Sequence, residues 1–468
     1  MSIERIINSG VQAFKQQMTV LLSDCVEGEL TPALAHTVTL GIQQAIASAG
    51  AEAFRTFLES KETTEDAVYH AGELYRFKYA SEKTFGTLWG QKSLSRRVFQ
   101  NASDTKSHVP LDAAWGMADE TLTIEVREAV AFACAHVTAE EAHALLKKSA
   151  LFQPHPTQMK AVVMRLGARV AQEEEELNRR IRAQETMSQE VRVLAASLDG
   201  ANVLMREPGA KRGRKAERPM DRTQSDNTAY RNAMAGTVSA YGTVPEGEKR
   251  PKRLQTRYVS HMPEEYATTF KGKFEEELDA AEAQLSPGVV KVLICDGARA
   301  LWKYAENNAR FDGYEKLVDY WHTLEHLSLA AEALFGKRTR KARDWYDRYA
   351  DKLLVEDDGA ARVLRSMDYH AQSQRLSPTR RESLDQQRGY FANNGGRMRY
   401  AEFRRRGFPI GSGPVEAACK SLIKTRLCRS GMRWSKQGGQ AVLTLRTYVK
   451  SNRWDSFWKQ VNEPKKAA

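Results

Sequence analysis

The chain has 468 residues, with 41% hydrophobic and 28% charged side chains, the balance of a globular protein of about three domains. No run of 18 apolar residues occurs, and the amphipathic start (Ile3, Ile6, Ile7, Val11, Phe14, Met18) lacks a basic leader and a continuous apolar segment, so neither a helical membrane span nor a signal peptide is expected. Five cysteines at 25, 134, 295, 419 and 428 show no CxxC spacing, which excludes a zinc knuckle or a redox pair and fits reduced thiols in a cytoplasmic protein. The net charge is +12, so a polyanionic partner is expected, because neutralising phosphates releases counterions.

Residues 1–70 read as a helical region. From Leu74 to Trp89 the pattern alternates, as in Leu74-Tyr-Arg-Phe-Lys-Tyr79, and predicts a small β segment over 71–115. Residues 116–188 are helical again. Thr138-Ala-Glu-Glu141 is a capping box that starts a short helix. After Pro154 and Pro156 comes a longer helix with Met159, Val162, Val163, Leu166 and Val170. A short helix, a turn and a long helix can form a helix-turn-helix for DNA, although packing alone also explains such a pair.

From Val191 the pattern alternates between strand and helix. Strands are expected near 191–198, 201–206, 231–241, 254–260 and 289–295, with a crossover helix from about Pro263 to Leu285 that favours parallel pairing. Two of these strands are apolar runs ending in Asp-Gly, namely Val191-Arg-Val-Leu-Ala-Ala-Ser-Leu-Asp199-Gly200 and Val289-Val-Lys-Val-Leu-Ile-Cys-Asp296-Gly297. One Asp-Gly after a strand would be a turn. Two of them, followed by Glu416 at the start of a basic helix, predict carboxylates at strand ends that can hold paired divalent ions.

Positive charge gathers in two places. One is Lys211-Arg212-Gly213-Arg214-Lys215-Ala-Glu-Arg218. The other is 402–450, which holds eleven Lys or Arg against two acids. Lys420, Lys424, Arg426, Arg429 and Arg433 are the expected phosphate contacts, with Lys420 and Lys424 on one helical face. Trp434 is either a stacking platform for DNA or a packing residue. Trp454, Phe457 and Trp458 are expected to lock the last helix.

Several of these segments resemble bacterial insertion-sequence transposases of the ISKra type, which are related to the mutator group. The resembling segments are Leu198-Asp199-Gly200-Ala-Asn-Val203 with Gly213-Arg-Lys-Ala-Glu-Arg-Pro219, Cys295-Asp296-Gly297-Ala298, and Asp319-Tyr-Trp-His322. A further one is Phe408-Pro-Ile-Gly-Ser-Gly-Pro-Val-Glu416 with Gly431-Met-Arg-Trp434-Ser435. The resemblance spans roughly 70–460 and is most specific over 407–435. It implies an α/β RNase H-like catalytic core in two parts, 189–297 and 406–460, split by a helical insertion over 298–405 and preceded by a mainly α-helical region. It also implies a DDE triad of Asp199, Asp296 and Glu416 binding two Mg²⁺ ions, with Mn²⁺ as a substitute, and His322 beside the scissile DNA.

The expected partners are double-stranded DNA at element ends and target, and further copies of the chain, with a nucleoid location and no membrane. The expected activity is strand cleavage and transfer. Relatives often carry a zinc-ribbon-like cysteine pattern before the Pro-Leu-Asp segment, whereas Arg96–His108 has none. The alternatives are a transposase-derived DNA-binding protein without catalysis and a zinc peptidase, the latter because His322-Thr-Leu-Glu325-His326 matches H-x-x-E-H.

Overall fold

The computed structural model describes residues 3–102, 106–149, 152, 154–206 and 230–463. The chain forms two compact units, 1–165 and 166–468.

In the first unit, helices α1 (Ile3–Cys25) and α2 (Pro32–Glu59) form an antiparallel hairpin. Small residues allow it: a Cβ on Gly10 would stand 3.0 Å from the Ala49 carbonyl, and Gly41 packs on Leu21. Thr31 caps α2 by accepting from Leu34 N–H, one of the orphan donors of a helix start. Helix ends at Glu59 and strand begins at Ala67, so the first helical region is shorter than the expected 1–70.

Strands β1 (Ala67–His70), β2 (Glu73–Thr87), β3 (Gly90–Asn101) and β4 (Ser107–His108) make an antiparallel meander in sequence order. Ala71 and Gly72 both have positive φ, as the tight turn between β1 and β2 requires. Phe85, Leu94, Leu111 and Met117 bury against Leu58. Asp112 is buried with them, 2.7 Å from Arg96 and 3.1 Å from Lys83. The His108 ring stacks on that of His70 at 3.9 Å. Short α3 (Pro110–Ala114) leads to α4 (Ile124–His136), α5 (Ala139–Lys148) and α6 (Pro156–Arg182). The capping box at Thr138 and Glu141 forms as expected.

The second unit is built on a five-stranded sheet. Its strands are β5 (Val193–Leu204), β6 (Tyr230–Tyr241), β7 (Arg253–His261), β8 (Val290–Cys295) and β9 (Glu315–Val318), in the order β7-β6-β5-β8-β9. The first three pair antiparallel, and β8 and β9 add in parallel. Helix α7 (Thr268–Glu282) makes the crossover between β7 and β8 and buries Phe270, Phe274 and Leu278.

Two expectations need correction here. The stretches 191–198 and 201–206 are one strand, because β6 pairs through Asp199 and Gly200 without a break. The interval 298–405 is not wholly helical, since Glu315–Val318 joins the central sheet beside β8. Helix α8 (Arg299–Glu306) connects them, and the insertion proper starts after β9 with α9 (Tyr320–Phe335), α10 (Arg340–Val355), α11 (Gly359–Ser373), α12 (Pro378–Asn394) and α13 (Tyr400–Arg405).

The chain returns through α14 (Gly413–Ala418), a π-helical turn over Cys419–Lys424, and α15 (Thr425–Leu427). It closes with α16 (Lys436–Lys450) and α17 (Trp454–Asn462). The aromatic lock forms: Phe457 is fully buried and stacks on Tyr448 at 4.2 Å. A buried ion cluster ties distant segments together. Glu277 on α7 binds Arg453 at 2.6 Å and Arg182 at 3.1 Å, while Glu185 binds Arg453 at 2.7 Å and Arg257 at 3.0 Å. Breaking one partner would leave a buried charge uncompensated.

Candidate active site

The parallel register of β5 and β8 sets the site. The last pair is Leu198 with Cys295, so Asp199 and Asp296 follow it side by side. Asp296 stands just past the end of β8. Asp199 is not at a strand end, because β5 runs on against β6, and it marks only where β8 leaves. A Cβ on Gly200 would stand 2.4 Å from the amide end of the exposed Asn232 side chain, which would have to shift. Gly297 is enforced by Tyr390, 2.1 Å from where a Cβ would be.

Asp296 Oδ1 accepts from Ala298 N–H at 2.9 Å, and its carbonyl accepts from Trp302 Nε1 at 2.8 Å. Burial raises its carboxyl above the ordinary value. The neighbouring Asp199 and Asp319 carboxylates add to this, while the Ala298 N–H and His322 oppose it. Asp199 accepts from Gly200 N–H at 2.6 Å and also from the Cys419 thiol, whose own pKa is pushed up by burial and by that acid.

Glu416 lies in the first turn of α14, where Pro414 supplies the expected helix start. It accepts from Ser412 Oγ at 3.0 Å and stands 3.9 Å from His322 Nε2. The remaining links are electrostatic: Cys419 feels both Asp199 and Glu416, and Asp296 feels His322.

Asp319 anchors this arrangement. It is 0% exposed and caps α9: one carboxylate oxygen accepts from His322 N–H at 2.9 Å and the other from Ser412 N–H. Its own N–H donates to the Cys295 carbonyl at 2.8 Å. One buried acid thus fixes the end of β8, the start of α9 and the loop before Glu416. With both oxygens engaged inward, it is a positioning residue. His322 is raised above the ordinary histidine value: burial lowers it, but Asp319, Glu325 and Asp296 together outweigh that. Asp319-Tyr-Trp-His322 was visible in the sequence as a motif, but nothing in it announced the bond to Ser412.

The two histidines of the H-x-x-E-H segment take different partners. His322 faces Glu325 and Glu416, whereas His326 Nδ1 pairs with Gln387 at 2.7 Å and its ring stacks on Tyr390 at 3.5 Å.

Among the described residues, no three His, Cys, Asp or Glu side chains are already gathered as a metal cage. The chemistry of the donors nonetheless fits Mg²⁺. Asp199, Asp296 and Glu416 offer hard carboxylate oxygens, as that ion requires. Burial is the main cause of the upward shift of Asp296, and the nearby Asp199 and Asp319 carboxylates add a negative potential that a cation would also relieve.

The expected DNA contacts divide. Lys211, Arg212 and Arg214 lie outside the described residues. Lys420, Lys424, Arg429 and Arg433 are exposed, although Lys420 and Lys424 sit in the π-helical turn and not on an α-helical face. Arg426 is a correction: it is 5% exposed, its guanidinium lies 5.3 Å from the Trp434 ring centroid, and it is not on the outer surface. Trp434 packs. Its Nε1 donates to Leu427 O at 2.8 Å, and its backbone bonds Leu204 and Arg206 at the end of β5. The indole secures the segment after Glu416 to the sheet and is not a free platform.

No protein-family model and no curated protein matches the chain. Among the described residues no helix is long and apolar enough to cross a membrane.

Proposed function

We propose that this protein is a DNA transposase of the DDE type with an RNase H-like core, acting by phosphoryl transfer at the ends of an insertion sequence. The observation that carries the reading is that Asp199 and Asp296 follow the last pair of two adjacent parallel strands, with His322 close enough to influence Asp296 and 3.9 Å from Glu416. The fold reading rests on the mixed sheet itself, three antiparallel strands continued by two parallel ones, with acids where the parallel pairing stops.

Asp199, Asp296 and Glu416 would hold two Mg²⁺ ions, whose chemistry would be to activate a water or 3′-hydroxyl and to stabilise the leaving oxygen. The protein's own groups do the positioning. Asp319 holds His322 and the loop before Glu416 in register. His322, kept more basic than usual by the surrounding acids, donates from Nε2 toward a phosphate oxygen. Lys420, Lys424, Arg429 and Arg433 lie on the segment that follows Glu416 and supply charge for the DNA backbone. Exposed Ile3, Ile7 and Val11 recur at four-residue spacing on α1 and suit assembly with further copies, as joining two DNA ends requires.

Mn²⁺ titration by electron paramagnetic resonance tests the ligand set: the wild type binds, and Asp296→Asn binds at least tenfold more weakly. Equal binding by the two proteins overturns the assignment. A DNA-binding descendant without catalysis also accounts for the basic segment, and it predicts no Mn²⁺ binding by the wild type.

A further inference from the structure

Near Asp319 lies a cavity of about 490 Å³ whose lining includes Lys249, Arg250, Arg253, Tyr320, Trp321 and Arg404, together with residues of the loop before Glu416. Its size is that of a small-molecule site. We propose that it receives one unpaired nucleotide of the DNA strand beside the scissile phosphate, its base stacked on Trp321. This rests on the phosphoryl-transfer reading for the neighbouring site and names the substrate feature that site takes.

Three observations carry the proposal. First, Trp321 is a large aromatic left 48% exposed on the rigid first turn of α9, directly before His322. Every nucleobase has a π-face, so an open indole is a sequence-tolerant stacking surface. The Arg250 guanidinium stands 5.6 Å from the ring centroid. It is carried by the exposed loop after β6 and can lift to admit a base between two flat groups.

Second, the charge is uncompensated. Among the described residues no carboxylate pairs with Lys249, Arg250, Arg253 or Arg404, and the one hydrogen bond of the Arg404 side chain is a 3.3 Å contact to the Leu354 carbonyl. Elsewhere in this unit arginines are commonly paired, as Arg399 and Arg406 are with Glu315 and Glu402. Four unpaired cations around one concavity fit the phosphates on either side of a nucleotide.

Third, the pocket and the acids share a wall. A Cβ built on Gly411 would stand 3.1 Å from Trp321 Nε1 and 3.5 Å from an Asp319 oxygen, so this loop residue has the indole and the buried acid as neighbours. A base seated on Trp321 therefore belongs to the same stretch of strand as a phosphate facing His322. The cavity is walled by Pro251, Pro409 and Pro414, and its volume suits one nucleotide and not a duplex.

The test uses the full chain in EDTA, so that binding is read without strand chemistry. The probes are a blunt duplex and the same duplex with a 3′ overhang whose first unpaired base is 2-aminopurine. The wild type quenches the probe on binding. Trp321→Ala abolishes the quench and weakens overhang binding by about 5- to 150-fold, the range for loss of one base–aromatic stack, while blunt-duplex affinity is unchanged. Trp321→Phe keeps the quench. Arg250→Ala lowers the salt slope of overhang binding by about 0.7–0.9 unit.

Equal quenching and affinity in the wild type and Trp321→Ala overturn the proposal. Displacement of the overhang by dAMP at matching concentration reassigns the pocket to a free nucleotide and also overturns it. Because no cleavage is read, failure here is distinct from failure of the phosphoryl-transfer reading, which shows instead as cleavage surviving Asp296→Asn.

Discussion

Replacing Asp319 with alanine removes the residue that joins three parts of the site. The substitution deletes the cap of α9, worth about 0.5–2 kcal/mol. It also leaves the buried Ser412 N–H without its acceptor, at about 1–3 kcal/mol. The two losses sit on opposite oxygens of one carboxylate, so together they predict roughly 1.5–5 kcal/mol of destabilisation. Asp319→Asn separates them. Its carbonyl oxygen still caps α9, while its NH₂ faces the Ser412 N–H donor to donor, so only the second loss of about 1–3 kcal/mol is expected. Urea unfolding reads both, provided the transition of the 166–468 unit is followed, since two units need not unfold together. Amide exchange at Ser412 should accelerate in both variants, and at His322 only in the alanine variant. An Asp319→Ala protein within about 0.5 kcal/mol of wild type, with Ser412 still protected, would refute the reasoning.

Two other outcomes follow from the packing. Arg453→Met leaves the buried Glu277 short of its nearest partner and should cost about 3–5 kcal/mol in thermal or urea unfolding. Glu277 is penalised by burial but held below the ordinary 4.5 by Arg453, Arg182 and Arg257. Its contribution is therefore present above pH 4.5 and lost as the pH falls through the lowered folded value. Arg453→Met should flatten that acid limb, and an unchanged acid profile would contradict the assignment. On the DNA side, Lys420→Ala and Lys424→Ala should each lower the slope of log affinity against log salt by about one unit. Arg426→Ala should leave the slope alone and lower stability instead, because its guanidinium is buried over Trp434.

How far the sequence foretold the site depends on the type of signal. The apolar runs before Asp199 and Asp296 gave away two buried parallel strands, and Pro414 gave away the helix of Glu416, because burial and proline geometry act locally. The continuity of β5 was hidden because Asp-Gly reads as a turn. Only β6, pairing through both residues, makes it strand. β9 was missed because Glu315-Lys-Leu-Val318 is short and half polar, and only its neighbour β8 makes it part of the sheet. The inward turn of Arg426 and Trp434 depends on contacts with Leu427 and the end of β5. The cations of the nucleotide pocket come from segments about 150 residues apart in sequence, and no local pattern links 249–253 to Arg404. The two helical histidines had the spacing of a zinc site, but Gln387 and Tyr390, from α12, take His326 away from it.

The most direct measurement of the central claim is strand cleavage of DNA carrying the sequences that flank this gene, in Mg²⁺, by wild type beside Asp199→Asn, Asp296→Asn and Glu416→Gln. The account predicts nicked product from the wild type. It predicts none above background from any of the three variants, with their DNA affinity within a few-fold of wild type because phosphate contacts elsewhere dominate binding. Cleavage at the wild-type rate by any one of them would contradict the claim that these three carboxylates form the catalytic centre.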